Sequence, residues 1–166
     1  ITEKENIARY FKNDIVVAEN VPNLIIKKPE KPRKEKNQTN FVFISRITPK
    51  KNLKYCIDVF SQLNFDGEIN FDIIGPLEDK EYWSIVEEKI KFLNNKIKVN
   101  YIGEIPNNLL LEKTKKYHYL FFPTLAENYG HIIYESLSYG IPVIISNQTP
   151  WKENNNGVFV RNLENN

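Results

Sequence analysis

The stretch YLFFPTLAENYGHIIYESLSYGIPVIIS, residues 119–146, predicts a strand, a helix and a second strand in succession. The apolar run YLFFP that opens it is typical of a strand inside a parallel sheet, because such a strand is buried on both faces. A helix from about Gly130 to Tyr139 ends at the stop signal GIP, and PVIIS follows as the next strand. The stretch is therefore a parallel strand pair joined by a crossover helix.

Upstream of this unit, short β-rich runs alternate with segments of helical periodicity. The further predicted strands are FVFIS at 41–45, INFDII at 69–74, KVNYI at 98–102 and VFV at 158–160. The predicted helices carry apolar stripes at Leu53, Cys56, Ile57, Phe60 and Leu63, then at Tyr82, Ile85, Val86, Ile90 and Leu93, and a short helix capped by Asn107 or Asn108 runs through Lys116. We therefore expect an α/β fold, a doubly wound Rossmann-like parallel sheet of five or six strands with helices on both faces. Ligands of such a fold bind beyond the carboxyl ends of the strands.

Composition and charge exclude several classes of protein. The chain has 166 residues, of which 41% are hydrophobic, and this excludes a disordered chain. The formal charge of +2 is too small to indicate a nucleic-acid partner. The lone Cys56 rules out an internal disulfide, and no Cys and His cluster has zinc-ligand spacing. No apolar stretch is long enough to span a bilayer, and we expect a cytoplasmic location.

The beginning of the chain predicts its organisation. A short apolar run at Ile15–Ala18 precedes KKPEKPRKEK at 27–36, whose charge is typical of a solvated loop, with a polyanion-binding patch as the alternative. We expect residues 1–37 to be an approach segment and residues 38–166 to form one domain. Because the sequence starts at Ile1 and contains no Met, we expect it to be a piece of a longer protein.

Three cationic residues follow the first predicted strand. Arg46 comes directly after it, and Lys50 and Lys51 stand just before the helix that begins near Asn52. Beside a helix N-terminus, the planar fork of Arg and the point charge of Lys can neutralise a diphosphate. Surface cations flanking a turn are the alternative. No G-x-G-x-x-G or G-x-x-x-x-G-K-[ST] pattern occurs, so no dinucleotide fingerprint or P-loop supports the site.

Two glutamates flank the start of the helix in the opening stretch. Glu127 lies in the loop after the strand YLFF, Gly130 lies at the helix N-terminus, and Glu135 falls on the helix. The free amides of Gly130 and His131 would point at an anion, and a carboxylate accepts hydrogen bonds from vicinal hydroxyls. This arrangement suggests a ligand with phosphate in the middle and sugars on both sides, which describes a nucleotide sugar. A pair of solvated helix glutamates is the alternative.

Two further loops lie at the same predicted edge, and the sequence offers neither a catalytic triad nor a metal site. Ile105, in the loop after the third strand, could present backbone groups to a base, and Trp151 could pack on a sugar or on the core. His118 and His131 have no Ser, Cys or Asp partner at a recognisable catalytic spacing, so we predict no triad. No D-x-D pair is present to hold a divalent ion on a diphosphate, so we predict no metal.

Four segments, in this order, resemble the C-terminal, donor-binding domain of the retaining glycosyltransferases of family 4, which have the two-domain GT-B fold. The segments are FVFISRITPKKNL, DIIGPLEDKEY, VNYIGEIP and FFPTLAENYGHIIYESLSYGIPVIIS. The last resembles the family's E-x7-E motif, through Glu127 and Glu135, with its G-x-P-V-I ending. The resemblance covers roughly residues 38–160.

The resemblance implies a role for each site residue. Arg46 and Lys51 would hold the diphosphate and stabilise negative charge on the departing nucleotide, which is electrostatic catalysis without a metal. Glu127 would meet the transferred sugar and Glu135 the ribose hydroxyls. The catalytic candidates are thus Arg46, Lys51 and Glu127, and the donor-binding candidates are Arg46, Lys51, Ile105, Gly130, His131 and Glu135. No cofactor is implied beside the nucleotide-sugar donor.

The resemblance also implies partners. In this family an N-terminal domain binds the acceptor, here an acceptor sugar or a lipid-linked glycan, and the present sequence does not show that domain. We therefore expect little transfer by this chain alone, because an ordered acceptor is missing. Family members often build polysaccharides or glycolipids, and the Asn- and Lys-rich composition fits a low-GC bacterial source. Peripheral association of the full-length enzyme with the inner face of the membrane is a further expectation.

Two alternatives belong to other classes. A nucleotide-sugar epimerase of the same fold would also bind a diphosphate sugar, but E-x7-E is not expected at this place in an epimerase. A non-catalytic nucleotide-binding or receiver-like α/β module would need acids at the end of the first strand, where Arg46 stands instead. Glu127 and Glu135 therefore favour sugar transfer.

Overall fold

The computed structural model describes residues 7–12 and 35–163. Residues 35–163 form one six-stranded sheet and four α-helices. The strands are β1 Gln38–Ile44, β2 Glu68–Ile74, β3 Ile97–Gly103, β4 Tyr119–Phe122, β5 Val143–Ser146 and β6 Val158–Arg161. The helices are α1 Leu53–Gln62, α2 Lys80–Ile90, α3 Asn107–Thr114 and α4 His131–Ser138.

The strands are all parallel and follow the order β3-β2-β1-β4-β5-β6. The chain moves outward from β1 through β2 to β3, then crosses back to β4 and moves outward again to β6. With right-handed crossovers, this reversal places α1 and α2 on one face and α3 and α4 on the other. The predicted doubly wound Rossmann-like fold is thus confirmed, including VFV as the sixth strand. Its switch point lies between the adjacent strands β1 and β4.

Aromatic packing fixes α1 to the sheet. Phe60 contacts the rings of Phe41 and Phe71, at centroid distances of 5.4 Å and 5.0 Å. The predicted stripe is buried at four of its five positions, Leu53, Cys56, Ile57 and Phe60. Leu63 is an exception, because α1 ends at Gln62 and Leu63 adopts an extended conformation that leaves it 45% exposed.

The two following helices depart from the sequence prediction in detail. On α2, Tyr82 and Val86 are buried as predicted, but Ile85 is 53% exposed. Asp79 caps α2 by accepting a hydrogen bond from the Tyr82 amide at 2.9 Å. The predicted asparagine cap of α3 is wrong, because Pro106 occupies the N-cap position and no side chain caps this helix.

A polar cluster lies on the sheet face opposite α1. Asp72 on β2 is 4% exposed, and its carboxylate accepts hydrogen bonds from Asn100, Lys116 and Tyr117 at 2.7–2.8 Å. Burial alone raises the pKa of Asp72, but these hydrogen bonds outweigh burial and hold that pKa below its ordinary value. Because Lys116 and Tyr117 lie two to three residues before β4, the cluster ties the return crossover to the sheet.

His118 has a structural role at the amino end of β4. Its Nδ1 atom accepts a hydrogen bond from the Asn40 amide at 2.8 Å, and its own amide donates to the Asn40 carbonyl. The residue therefore joins the start of β4 to β1, at the end of the sheet opposite to the predicted site.

Part of the predicted organisation lies outside the described residues. This applies to the apolar run Ile15–Ala18 and to most of the basic stretch 27–36, so the boundary at residue 37 stays a prediction. Where the chain is described, no helix has both the length and the apolar character needed to cross a membrane.

Candidate functional site

The loops at the carboxyl ends of β1 and β4 are joined directly. The amide of Leu125 and the hydroxyl of Thr124 both donate to the Lys50 carbonyl, at 2.8 Å and 3.2 Å. The Asn52 side chain donates to the Pro123 carbonyl at 3.1 Å. Asn52 has a left-handed φ of 57°, which turns the chain between a short 3-10 helix at Pro49–Lys51 and α1. These bonds hold the lysine-bearing loop against the loop that carries Glu127.

The loop after β5 supports the same region from the other side. The amide of Glu127 donates to the Gln148 carbonyl at 3.1 Å. The Ser146 hydroxyl, buried at the end of β5, donates to the Thr124 carbonyl. In the sheet, β4 lies between β1 and β5. The segment 124–127, which follows β4, is likewise held between the loops that follow β1 and β5.

Lys51 and Glu127 form an ion pair at the switch point. Lys51 Nζ lies 2.8 Å from a Glu127 carboxylate oxygen, and the side chains are 12% and 20% exposed. The same Nζ lies 5.3 Å from the centroid of the Phe122 ring. Partial burial alone raises the pKa of Glu127, but the hydrogen bond and charge of Lys51 outweigh burial, so that pKa lies below its ordinary value. Glu127 is therefore a carboxylate at neutral pH, and it holds the lysine in place.

Gly130 is the N-cap of α4 and has a left-handed φ of 80°. A Cβ atom at this position would lie 2.7 Å from Cδ1 of Ile133 and 3.3 Å from Cγ of Glu127. Both the backbone conformation and the lack of space therefore require glycine here. The consequence is that the positive end of α4 begins next to the Glu127 side chain, where an anion is favoured.

Glu135 and His131 lie one turn apart on α4. His131 is exposed, whereas Glu135 is half-buried. Burial raises the pKa of Glu135 above its ordinary value, and the charge interaction with His131 opposes this shift without cancelling it. Among the described residues, none donates a hydrogen bond to the Glu135 carboxylate. Its acceptor oxygens are therefore available to hydroxyl groups of a ligand.

Arg46 lies at the carboxyl end of β1 but does not contact the Lys51–Glu127 pair. Its side chain is 60% exposed, and its Nη1 atom forms an ion pair with Glu78 at 3.1 Å. Sequence reasoning did not identify Glu78. The available signal was its position three residues after Gly75, in the loop that follows the neighbouring strand β2.

The loop after β3 lies at the same edge of the sheet, at its far end. Ile105 is half-buried and packs against the hydrophobic core. Gly103 has a left-handed φ of 84°, and no atom lies within 4 Å of the place where its Cβ would be. The space around Gly103 is thus open, in contrast to the crowded surroundings of Gly130.

Trp151 fixes the loop that leads into α4. Its indole Nε1 donates to the Tyr129 carbonyl at 2.6 Å, and its ring lies 6.2 Å from that of Tyr129. The Tyr129 ring in turn lies 4.9 Å from the ring of His131. Trp151 also packs against the core, which is one of the two roles open to it from the sequence. Nowhere in residues 7–12 and 35–163 do three His, Cys, Asp or Glu side chains form a group that could hold a metal ion.

Comparison with known proteins agrees with this architecture. Residues 25–160 match the family described as "Glycosyl transferases group 1". The capsular polysaccharide biosynthesis glycosyltransferase CapH of Staphylococcus aureus is 30% identical over 118 residues, which cover 68% of this chain and 32% of CapH. The O-antigen chain mannosyltransferase B of Escherichia coli is 24% identical over 116 residues, covering 68% of this chain and 29% of that protein. The aligned part of the chain thus spans about a third of the length of these relatives.

Solved structures share the fold. The apo form of the lipopolysaccharide outer core galactosyltransferase WaaB superposes with a TM-score of 0.67 and 22% identity, over 96% of this chain and 45% of WaaB. HepE of Anabaena, solved in complex with UDP and glucose, superposes with a TM-score of 0.63 and 19% identity, over 76% of this chain and 35% of HepE. The six-stranded domain is that of GT-B glycosyltransferases, and by its match over residues 25–160 the chain belongs to the glycosyl transferases group 1 family.

Proposed function

We propose that this chain is the donor-binding domain of a retaining glycosyltransferase of family 4 and that it binds a nucleoside diphosphate sugar without a metal ion. The observation that carries the proposal is the partly buried Lys51–Glu127 pair, next to the start of α4. The pair brings a fixed cation and a carboxylate to the switch point, beside the N-terminus of α4. Together these groups suit a ligand with phosphate between two sugars. A nucleotide-sugar epimerase-like domain and a non-catalytic nucleotide-binding module are the alternatives.

Each side chain has a distinct task in this proposal. Lys51 and Arg46 neutralise the diphosphate and stabilise the charge that develops on the leaving nucleotide. Glu135 accepts hydrogen bonds from the ribose hydroxyls, since its carboxylate has no donor among the described residues. The backbone around Ile105 contacts the base, and Gly130 and His131 offer amides to phosphate or sugar.

Glu127 has two tasks. It faces the transferred sugar, and it orients Lys51 through their 2.8 Å contact. Because its pKa is lowered, it stays ionised and is suited to accepting hydrogen bonds rather than to donating a proton. In the proposed retaining reaction the acceptor hydroxyl attacks on the face of the leaving group, and the departing phosphate takes its proton.

Relatives indicate the substrate class and the setting. HepE has been solved with UDP-glucose, and TarM of S. aureus has been solved with UDP and saccharides. CapH and the mannosyltransferase are named for capsule and O-antigen synthesis. These names support the proposal that this chain acts in bacterial polysaccharide or glycolipid synthesis. A location in the cytoplasm is a separate part of the proposal. The acceptor would bind a second domain of the full-length enzyme, which would associate peripherally with the inner face of the membrane, and this chain alone would transfer little sugar.

Calorimetric titration with UDP, GDP, ADP and CMP in metal-free buffer tests the proposal. We expect one nucleotide to bind selectively, and we expect Glu135→Ala and Arg46→Ala to weaken it, the second with a reduced dependence on salt. Glu88→Ala, which removes an exposed helix glutamate paired with Lys91, is the control and should bind normally.

The outcomes separate the readings. Absence of binding by all four nucleotides, or equal binding by wild type and both site variants, would refute the donor site. Loss of binding on addition of EDTA, restored by Mg²⁺ or Mn²⁺, would refute the metal-free part alone.

A further inference from the structure

The loops after β1 and β2 continue to pair beyond the ends of their strands. Ile47 and Leu77 form an isolated parallel bridge. The Ile47 amide donates to the Pro76 carbonyl at 2.9 Å, and the Asp79 amide donates to the Ile47 carbonyl at 3.2 Å. The backbone on either side of Glu78 is therefore bonded to the residue that follows Arg46, and the two side chains start from fixed, facing positions.

Gly75 makes this close approach possible. It has a φ of +140°, and a Cβ atom there would lie 2.0 Å from the Ser45 carbonyl oxygen, which no side chain could accommodate. From the other side, the Gly75 amide donates to the Gly103 carbonyl at 2.9 Å, and the Tyr101 hydroxyl donates to the Gly75 carbonyl at 3.1 Å. The loop that carries Glu78 is thus held by both neighbouring strands.

The contact between Arg46 and Glu78 uses only one end of the guanidinium group. Nη1 lies 3.1 Å and 3.3 Å from the two carboxylate oxygens of Glu78. Among the described residues, Nε and Nη2 of Arg46 make no hydrogen bond. Because Arg carries its five donors in a rigid plane, holding Nη1 leaves the Nε and Nη2 edge free to form two parallel bonds to a phosphate.

We propose that Glu78 is a positioning residue, which holds Nη1 of Arg46 so that the Nε and Nη2 edge faces the diphosphate of the donor. This inference rests on the proposed function of the site. The arrangement repeats that of Lys51, which is held by a carboxylate from a neighbouring loop in the same way. Arg46 and Lys51 then each have their own acidic partner. Because Glu78 already holds the Arg46 side chain, which is 60% exposed, that side chain loses less conformational freedom when the diphosphate binds.

The test is a double-mutant cycle on the full chain, with binding of UDP, GDP and ADP measured by calorimetry. We expect Glu78→Ala to weaken binding of the preferred nucleoside diphosphate about 3- to 10-fold. Glu78→Gln, whose amide oxygen can still accept from Nη1, should restore part of the loss. In the Arg46→Ala background, Glu78→Ala should cause no further weakening, because the side chain that it positions is absent. Glu68→Ala, which breaks another exposed ion pair, with Lys98 at the other end of β2, is the matched control.

A purely repulsive role predicts the opposite sign. If Glu78 only repels the diphosphate, its removal tightens binding in both backgrounds, and that result overturns the inference. Unchanged binding by Glu78→Ala overturns it as well. If the wild-type chain binds no nucleoside diphosphate, the proposed function fails together with this inference, whereas normal wild-type binding with an unaffected Glu78 variant refutes the inference alone.

Discussion

Alanine substitutions at two left-handed glycines test how tightly the start of α4 is built. Gly130 and Gly103 have nearly the same φ, 80° and 84°, so alanine at either position pays the same conformational cost, about 1–2 kcal/mol. Only their surroundings differ. A Cβ at position 130 would lie 2.7 Å from Cδ1 of Ile133, whereas nothing lies within 4 Å at position 103. Gly103→Ala is thus a matched control for Gly130→Ala.

The magnitude follows from what has to move. Ile133 is 0% exposed, so its terminal methyl group can escape the new Cβ only by leaving its preferred rotamer, at a cost of about 0.5–1.5 kcal/mol. Gly130→Ala should therefore lower the free energy of unfolding by about 1.5–3.5 kcal/mol, and Gly103→Ala by about 1–2 kcal/mol. The entropy that alanine removes from the unfolded chain is the same for both variants and cancels in the difference.

Thermal and urea unfolding followed by circular dichroism would measure both variants. For a chain of this size, the expected difference between them is about 1–6 °C in Tm, with Gly130→Ala the less stable. Equal losses of stability in the two variants would show that a Cβ atom at position 130 does not collide with Ile133. A neutral Gly130→Ala would refute the left-handed N-cap itself.

Three further predictions concern the carboxylates. Burial raises the pKa of Glu135, so folding disfavours its charged form. Glu135→Gln should therefore raise the Tm at pH 7. The increase in Tm should fade as the pH falls toward about 4, where the wild-type carboxyl group is protonated. The pKa of Glu127 is lowered in the folded chain by its lysine partner, so Glu127→Gln should be less stable than wild type at neutral pH. The difference in free energy of unfolding should disappear as the pH falls below about 4.3. A difference that stays constant with pH in urea unfolding would contradict this prediction. Asp72→Ala removes the acceptor of the buried Tyr117 hydroxyl and of two further donors, and it should cost about 2–4 kcal/mol in urea unfolding. The comparison is Asp58→Ala, whose side chain is 28% exposed and pairs with two lysines near the surface; it should cost less than about 1 kcal/mol.

The periodicity of the sequence predicts the elements better than their ends. Strands and helices appear where apolar residues recur at steps of two, or of three and four, because these are the spacings that place side chains on one face. The same pattern does not reveal where a helix stops or how far a neighbour covers it. Leu63 and Ile85 continue their stripes, yet one lies beyond the end of α1 and the other lies on the uncovered side of α2.

The site shows a similar division. The positions of Arg46, Lys51 and Glu127 after their strands follow from the pattern, since parallel strands bring their carboxyl ends to one edge of the sheet. The pairing of these residues does not follow from it. Lys51 pairs with a residue 76 positions away, and Arg46 pairs with Glu78 rather than with a residue of the motif.

By itself, the sequence determined the alternation of strand and helix, the fold class, and the set of polar residues at the carboxyl ends of the strands. Only the tertiary structure decided which of these residues meet. The reason is the order of the strands: β1 lies between β2 and β4, so the loop after β1 pairs Arg46 with the loop on one side and Lys51 with the loop on the other. The order of the strands depends on how the crossover helices cover the two faces of the sheet. The hydrophobic spacing within one segment does not reveal which strands become neighbours.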